Sequence, residues 1–410
     1  MDSNSFTLMA SLIFFFFIVL FHATAVSLNP ADLAALAAIK DTITDIPGTH
    51  FLSTWDFTSP DPCSSFSGIT CSSNNRVTLL TLGTGFFDSH GLAGSLSPAL
   101  SNLTQLTQLV LFPGLVTGPI PPQLGLLTNL QVISLTNNRL TGPIPHSLSS
   151  LPNLHTLDLS SNQLTGSIPP RLSELPTLRV LILGSNLLSG ELPSTVSAQL
   201  LHLDLRKNRI SGPLPQSLPS SLRYLSMSEN SMWGPLNGLE SPPDLLYLDL
   251  SMNQFSGPIP PSLFNPTLSS MFLQRNNLSG SVPPVSPPPP YNPGSIVDLS
   301  HNFLSGELSP VLTGVESLFL NNNRLSGLVP EEYVKSAHRG TTKTLYLQHN
   351  YFTGFPMEAG LELPDTVALC LAYNCMVSLV GISTCPASAG GEISRPLSQC
   401  SVSKNRSSTD

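Results

Sequence analysis

Four segments of the sequence share one pattern. Residues 130–145 read LQVISLTNNRLTGPIP, 154–169 read LHTLDLSSNQLTGSIP, 178–193 read LRVLILGSNLLSGELP and 200–215 read LLHLDLRKNRISGPLP. Their common frame is L-x-x-L-x-L-x-x-N-x-L-x-G-x-I-P, and it continues with small departures to Phe355. The fixed asparagines of the clear copies are Asn138, Asn162, Asn186, Asn208, Asn230, Asn253, Asn276, Asn302, Asn323 and Asn350.

The spacing of these asparagines identifies the kind of repeat. Neighbouring asparagines lie between 21 and 27 residues apart, which is within the range of roughly 20 to 29 residues that is typical of leucine-rich repeats. Two degenerate copies precede them, at 76–100 and 106–121, and the second has Gly114 in the asparagine position. We therefore predict about twelve repeats over residues 76–366.

Side-chain alternation explains why such repeats must stack. In a strand, the two leucines of L-x-L point to one face and the residues between them point to the other. One repeat cannot bury its leucines alone, so adjacent repeats lay their strands in parallel and fuse the leucines into one core. The asparagine follows each strand, where its amide can satisfy backbone groups of the turn and of the next repeat. In the G-x-I-P segment that leads back towards the next strand, glycine supplies a permissive backbone position and proline supplies a fixed φ.

The composition argues against several classes of function. Only 10% of the 410 residues are charged, against about 25% in average proteins. The net charge of −8, with 17 scattered lysines and arginines, offers no basic surface for a nucleic acid. We find no catalytic motif, no cofactor-binding motif and no cysteine–histidine spacing typical of a metal site. The sequence thus predicts a binding protein that is not an enzyme and uses neither cofactor nor metal.

Both ends of the sequence indicate the secretory pathway. The apolar run Leu8–Phe21 and the small residues that follow it predict a signal peptide over 1–25, with an uncleaved signal anchor as the alternative. Sequons for N-glycosylation begin at Asn102, Asn277 and Asn405. An even number of cysteines suits disulfides in an oxidising compartment; they are Cys63, Cys71, Cys370, Cys375, Cys385 and Cys400.

A repeat array needs a cap at each end. An N-terminal cap is predicted over 26–75, with Asn29 as the N-cap of a helix and Pro30 at its first position. The apolar face of that amphipathic helix is formed by Leu33, Leu36, Ile39 and Ile43. We expect Cys63 to pair with Cys71 across the short loop between them.

The C-terminal cap is predicted over 367–400, where the remaining four cysteines lie. Three pairings of these cysteines are possible, and the sequence leaves all three open. Residues 401–410 are polar and predict a flexible tail. No apolar stretch of about 20 residues follows the repeats, so we expect no transmembrane span, no lipid-anchor signal and no kinase domain.

The motifs resemble a known family. The unit that ends in TGxIP or SGxIP, preceded by a cap that ends in PCSSFSGITC at residues 62–71, resembles the plant-type extracellular leucine-rich-repeat proteins. These comprise ectodomains of receptor-like kinases, receptor-like proteins and polygalacturonase-inhibiting proteins. The resemblance covers about Leu28 to Cys400 and implies an α/β repeat solenoid: a curved right-handed superhelix with a parallel β-sheet on its concave, ligand-binding face. The family's cap commonly reads W-x-G-V-x-C, whereas Phe66-Ser-Gly-Ile-Thr-Cys71 stands here.

The residues between the strand leucines are the candidates for ligand binding. Aromatic and arginine side chains on a preformed surface are favoured in protein-binding hot spots. The candidates are Arg206, Lys207, Tyr224, Tyr247, Phe272, Arg275, Phe319 and Tyr346, with Gln274 and His349 beside them. Repeat drift without a function is the alternative interpretation.

Two other features allow a functional and a structural interpretation. One strand position is acidic in four repeats, at Asp158, Asp204, Asp249 and Asp298. This acidic column either attracts a basic partner or reflects a consensus residue of the repeat. The Pro-rich insertion 283–294 contains Ser286, four prolines and then Tyr291. That order resembles the extensin-type wall motif, and a stiff polyproline loop is the alternative.

These observations give one leading hypothesis and two alternatives. The leading hypothesis is a secreted protein of the extracellular space or cell wall, or of the outer face of the plasma membrane. It would bind a protein, a peptide or a wall polysaccharide on its concave face, in defence or developmental signalling, with a membrane co-receptor as a second partner. The alternatives are an inhibitor of microbial polygalacturonase and a structural wall protein held by its Pro-rich insertion.

Overall fold

The computed structural model describes residues 28–83, 91–240, 242–284, 290–357, 363–376, 385 and 394–400. The predicted signal peptide, the central part of the Pro-rich insertion and the sequon at Asn405 lie outside these residues. Within the described ranges, no helix has the length and apolar character needed to cross a bilayer.

Two long β-sheets run along the molecule, because each repeat contributes one short strand to each sheet. The first has 14 strands and forms the concave face; it is named the concave sheet. Its first two strands are antiparallel and all later neighbours are parallel. Its strands are β2 (Ile69–Cys71), β3 (Val77–Leu82), β5 (Gln108–Leu111), β7 (Val132–Ser134), β9 (Thr156–Asp158), β11 (Val180–Ile182), β13 (His202–Asp204), β15 (Tyr224–Ser226), β17 (Tyr247–Asp249), β19 (Ser270–Phe272), β21 (Ile296–Asp298), β23 (Ser317–Phe319), β25 (Thr344–Tyr346) and β27 (Ala368–Cys370).

The second sheet has 13 strands and is formed by the segments that follow each asparagine; it is named the outer sheet. Its first pair is antiparallel and the other neighbours are parallel. Its strands are β1 (Ile43–Asp45), β4 (Leu92–Ser95), β6 (Leu115–Pro119), β8 (Arg139–Pro143), β10 (Gln163–Gly166), β12 (Leu187–Glu191), β14 (Arg209–Gly212), β16 (Ser231–Gly234), β18 (Gln254–Gly257), β20 (Asn277–Gly280), β22 (Phe303–Glu307), β24 (Arg324–Leu328) and β26 (Tyr351–Gly354).

Short helical turns return the chain from the outer sheet to the concave sheet. The α-helices are α1 (Pro30–Lys40), α2 (Pro62–Ser65), α3 (Pro170–Ser173), α4 (Glu331–His338) and α5 (Leu397–Cys400). The 3-10 turns are Leu52–Thr54, Pro98–Asn102, Pro122–Leu126, His146–Ser150, Asn237–Glu240, Pro261–Leu263 and Pro310–Leu312. Most of the helical turns within the repeats thus have no more than five residues, and α4, with 8 residues, is the exception.

One continuous leucine core lies between the two sheets. The central residue of each concave strand pairs in register with its neighbours, as Leu157, Leu181 and Leu203 do, and all three are buried. Because side chains alternate along a strand, this register leaves the flanking residues on the concave face. The predicted parallel stack of leucine-rich repeats is confirmed.

In each repeat that carries it, the fixed asparagine joins the repeat to the one before it. The Asn162 side-chain amide donates to the carbonyl oxygen of Leu135 in the preceding repeat at 2.8 Å, and to Leu159 at 3.1 Å in its own turn. Its Oδ1 accepts from the amide of Leu140 at 3.0 Å. The other fixed asparagines repeat this set of contacts, for example Asn253. Each one satisfies backbone groups that the turn would otherwise bury without partners.

The N-terminal cap is tied to the first repeat by an internal ion pair. Asp32 of α1 is fully buried, and its carboxylate accepts from the Arg76 guanidinium at 2.9 and 3.0 Å and from the Val77 amide at 2.8 Å. Cys63 is bonded to Cys71. The predicted helix ends at Lys40, so Ile43 is buried in β1 and does not extend the helix as expected.

The repeat frame extends one unit further than the predicted boundary at residue 366. Strand β27 continues the concave sheet, and Asn374 occupies the asparagine position, where it accepts from the Phe352 amide at 3.1 Å and donates to the Leu347 carbonyl oxygen at 3.0 Å. The pattern LCLAYN at 369–374 carries this register. The cysteines around it obscure the repeat in the sequence, because their number and spacing favour a separate cap.

Two disulfides and one arginine close the C-terminal end. Of the three pairings left open by the sequence, the structure contains Cys370–Cys385 and Cys375–Cys400. The Arg395 guanidinium lies 4.1 Å from the ring centre of Tyr351 and 4.7 Å from that of Tyr373. Its Nε also donates to the Asn350 carbonyl oxygen at 3.0 Å. These cation–π contacts dock the last described segment onto the final repeats.

Replacement of a buried asparagine should destabilise the array. In Asn162→Ala, the Leu140 amide and the Leu135 carbonyl oxygen lose a partner, and a buried unsatisfied group costs about 1–3 kcal/mol. We expect the free energy of unfolding to fall by at least about 2 kcal/mol in urea titrations. Asn153→Ala is the matched control, because Asn153 is exposed and donates a single bond to Thr128. Equal stability of the two variants would show that the asparagine contacts do not hold the repeats together.

Candidate ligand-binding surface on the concave sheet

Three aromatic rings stack across neighbouring concave strands. His202, Tyr224 and Tyr247 occupy the same position in β13, β15 and β17. The ring centres of His202 and Tyr224 are 4.0 Å apart with planes at 9°, and those of Tyr224 and Tyr247 are 4.4 Å apart with planes at 3°. Phe272 continues the series at 5.8 Å from Tyr247 with a tilt of 50°. These four residues form the aromatic ladder.

The three stacked rings of the ladder, those of His202, Tyr224 and Tyr247, present ring edges to a ligand, not ring faces. Parallel strands lie about 4.8 Å apart, close to the ring separations, so the stacking direction runs across the strands. Rings stacked in this way stand upright on the sheet, with each interior face covered by the next ring. A ligand above the sheet therefore meets a ridge of ring edges, which carry partial positive charge, together with the tyrosine hydroxyls.

Burial keeps the polar groups of the ladder in their neutral forms. Desolvation raises the pKa of Tyr247 and of Tyr224, so both hydroxyls stay protonated and can donate. Desolvation also lowers the pKa of His202 below its ordinary value of 6.5; the carboxylates of Asp204 and Asp158 oppose this effect. The ladder is thus neutral at pH 7.

Positive charge lies on the side of the ladder where the strands end. Arg206 is half-exposed and its Nε lies 3.4 Å from Asp204, while Lys207 lies 3.5 Å from Glu229. Arg275 is exposed in the equivalent turn after β19. Lys207 and Arg275 both have φ near +55°, a left-handed conformation that non-glycine residues rarely adopt. Their backbone is therefore fixed by the turn and not by the side chain.

The predicted residues fall into two groups. Tyr224, Tyr247 and Phe272 belong to the ladder, whereas Phe319 and Tyr346 form a second pair with ring centres 5.3 Å apart at 90°. Asp298 separates the groups, because it lies between Phe272 and Phe319 in register. The candidate surface is thus an aromatic ridge and a smaller aromatic pair on one sheet.

The acidic column supports the turns of alternate repeats. Each of the four carboxylates accepts from the backbone amide two residues further on, at 2.9 to 3.0 Å. Their neighbours in register are not acidic, so the aspartates lie two strands apart. Burial raises the pKa of Asp204 and of Asp298. These hydrogen bonds explain why the LDLS motif recurs in the repeats, and no basic partner is needed to account for the aspartate.

Sequence reasoning missed three residues of this surface. His202 is in the ladder but is absent from the candidates above, although it shares its strand position with Tyr224 and Tyr247. Leu201 and Leu246 precede β13 and β17 and are 39% and 49% exposed, at a position that is polar in most repeats. Comparison of each strand position across all repeats would have found all three.

The Pro-rich insertion leaves Tyr291 only partly exposed. Its ring packs against the leucine core, its hydroxyl is buried, and burial raises its pKa. Residues 285–289, with Ser286 and three of the four prolines, lie outside the described residues. Tyr291 therefore acts as an anchor of the insertion.

Other predicted sites lie away from the concave sheet. Asn102 and Asn277 are exposed, on a return turn and on the outer sheet. Glycans there would leave the ladder open. Among the residues that the structure describes, no group of three or more His, Cys, Asp or Glu side chains could hold a metal ion.

Together, the repeats, the caps and the concave surface define a leucine-rich-repeat solenoid. Family models of the leucine rich repeat match residues 128–188, 199–220 and 244–266, and a model of the leucine rich repeat N-terminal domain matches residues 29–72. These models cover less than half of the chain, and the repeats and fold are similar to those of plant leucine-rich-repeat ectodomains.

Individual similarities are partial. The chain is 39% identical over 78 residues to Leucine-rich repeat protein 1 of Arabidopsis thaliana, which covers 19% of this chain and 32% of that protein. The solved structure of PEPR1–AtPEP1 matches 85% of this chain and 52% of its own, with 29% identity and a TM-score of 0.67. The plant peptide hormone receptor RGFR1 in complex with RGF2 matches 69% and 50%, with 26% identity and a TM-score of 0.56. The chain thus spans about half of these solved chains.

The buried position of His202 predicts its titration. Its imidazole should titrate below pH 6.5 in an NMR pH series. In Asp204→Asn the pKa should fall further, because the substitution removes a negative charge and keeps the acceptor for the Arg206 amide. In the wild type, His202 has a lower pKa in the folded protein than in the unfolded chain, so on acidification the unfolded chain binds the proton at a higher pH. The stability that His202 contributes is therefore lost as the pH falls below 6.5. A His202 pKa at or above 6.5, or a rise in Asp204→Asn, would contradict this geometry.

Proposed function

We propose that this protein is a secreted recognition protein that binds an extracellular peptide or protein on the aromatic ladder of its concave sheet. The observation that carries the proposal is the continuous stack of His202, Tyr224 and Tyr247, continued by Phe272. A row of aromatic side chains on a rigid sheet is the kind of preformed surface on which binding hot spots form. The flanking Arg206, Lys207 and Arg275 add charged donors.

The orientation of the rings favours a polypeptide over a glycan. A sugar ring packs best on an exposed aromatic face, and within the stack of His202, Tyr224 and Tyr247 the interior faces are covered by the neighbouring rings. A polypeptide can instead place side chains on either side of the ridge and offer carbonyl oxygens to the tyrosine hydroxyls. The half-exposed Leu201 and Leu246 extend the apolar contact to the edge of the sheet, and Phe319 with Tyr346 offers a second contact further along.

The similar proteins support the same class of ligand. The structures of PEPR1–AtPEP1 and of the peptide hormone receptor RGFR1 with RGF2 share the fold over most of this chain. We extend the proposal to a membrane co-receptor as a second partner, and to the extracellular space as the compartment. Polygalacturonase inhibition and a structural wall role remain alternatives, but no described contact favours either of them.

A ladder variant tests the proposal directly. Tyr224→Leu/Tyr247→Leu removes both rings but keeps an apolar cover over the core, so the protein should fold normally. Immobilised wild type is incubated with plant apoplastic fluid, bound peptides are identified by mass spectrometry, and one is synthesised for calorimetry. We expect the double variant to bind it at least about 30-fold more weakly, equivalent to the loss of one hot spot of about 2 kcal/mol.

Trp233→Leu provides the matched control. Trp233 is 51% exposed on the outer sheet, so its loss removes an accessible ring away from the concave sheet. Unchanged binding in this control, with loss in the ladder variant, supports the site. The proposal fails if the ladder variant binds like wild type, if Trp233→Leu loses as much, or if only polysaccharide is recovered.

A further inference from the structure

The lengths of three consecutive repeats are unequal in a way that shapes the surface. Asn276 and Asn302 are 26 residues apart, Asn302 and Asn323 are 21 apart, and Asn323 and Asn350 are 27 apart. The shortest step of the array thus lies between two of its longest. The extra residues belong to the Pro-rich insertion before β21 and to α4 with its following turn before β25. The segments that lead from the outer sheet back to the concave sheet are therefore enlarged before β21 and before β25, and the segment between them, before β23, is short.

A cavity of about 660 Å³ lies between these two enlarged returns. Pro290, Tyr291 and Pro293 of the insertion line one side, and α4 lines the other with Lys335 and Arg339. The short repeat forms the floor between them. This volume is within the range of small-molecule sites, roughly 300 to 1,000 Å³. The cavity is separate from the aromatic ladder, which lies on β13 to β19.

The floor of the cavity is held by Glu316. Its carboxylate accepts from the Gly294 amide at 2.8 Å and from the Lys343 ammonium at 3.1 Å. These two bonds, the Gly294 amide first, lower the pKa of Glu316, which therefore stays ionised. The contact joins the insertion, the short repeat and the turn after α4. Lys343 is thereby neutralised, and the free charges of the cavity lie elsewhere.

Two cations line the α4 side of the cavity. Lys335 and Arg339 are four residues apart, so they lie on the same face of the helical segment. Lys335 pairs only with the exposed Glu331 at 3.0 Å, a kind of contact that contributes little. In the described part of the chain, Arg339 has no ion pair. Both side chains can therefore turn to an anionic ligand without the loss of a strong contact.

We propose that this cavity binds a carboxylated saccharide. The apolar surface of Pro290, Pro293 and Tyr291 matches the C–H face of a pyranose ring, and the Arg339 guanidinium with the Lys335 ammonium matches a carboxylate. Glu332 and Thr341 in the same lining can bond sugar hydroxyl groups. A peptide would need a longer groove, whereas this cavity is bounded on both sides by the enlarged returns. The site gives the protein a second ligand besides that of the concave sheet.

A charge variant with a matched ligand pair tests the site. The probes are the trisaccharide of galacturonic acid and the neutral trisaccharide of galactose, titrated into the full mature chain by calorimetry at low salt. We expect the acidic trisaccharide to bind wild type at least fivefold more tightly than the neutral one. Arg339→Gln should weaken the acidic trisaccharide at least fivefold, and added salt should weaken it in wild type.

Two further variants show whether the loss of binding is specific to this cavity. Arg209→Gln removes an exposed arginine from the outer sheet and should leave saccharide binding unchanged. Tyr224→Leu/Tyr247→Leu should also leave it unchanged, while Arg339→Gln should keep peptide binding on the ladder. The proposal is overturned if the acidic trisaccharide does not bind at millimolar concentration, if Arg339→Gln binds like wild type, or if Arg209→Gln loses as much affinity.

Discussion

Each repeat that carries the fixed asparagine depends on the side-chain amide of that residue. Asn162, taken as the example, bonds backbone groups of its own turn and of the preceding repeat. Without it, the turn between the two sheets would bury donors and acceptors that have no partner. Because each asparagine contacts the preceding repeat, the contacts form a continuous row along the molecule, and the stability of any repeat depends on its neighbour. This row, together with the leucine core, sets the spacing of the concave strands.

The same turn explains why the concave surface is preformed. The residue before each fixed asparagine has φ between 53 and 58°, a conformation that costs about 1 kcal/mol or more for residues other than glycine. Lys207 and Arg275 adopt it although neither is favoured there, so the asparagine contacts and the sheet outweigh their local preference. A ligand that meets these side chains therefore does not have to order the backbone beneath them, which lowers the entropy loss on binding.

The sequence predicted the features that depend on periodicity and missed those that depend on contact between repeats. Leucine spacing and the asparagine position predicted the concave strands, the core and the face on which Tyr224 and Tyr247 lie, but not the outer sheet. The extra repeat at β27 was not predicted, because the cysteines in and around LCLAYN favoured a separate cap over a further repeat. Nor did the sequence predict the place of His202, whose role arises only when Tyr224 of the next repeat stacks on it. The packing of Tyr291 against the core likewise depends on a fold of the insertion that no repeat frame describes.

Specificity in such a protein must come from departures from the repeat. Identical units would give a uniform face, on which a ligand could bind in any register. The aromatic ladder breaks this uniformity through residue choice, since aromatic rings at one strand position continue over β13, β15 and β17 only. The cavity near α4 breaks it through length, because a repeat of 21 residues lies between repeats of 26 and 27 residues. Both departures leave the asparagine row intact: Asn302, Asn323 and Asn350 still contact the preceding repeats. The fold can therefore vary its surface without weakening the contacts that hold it together.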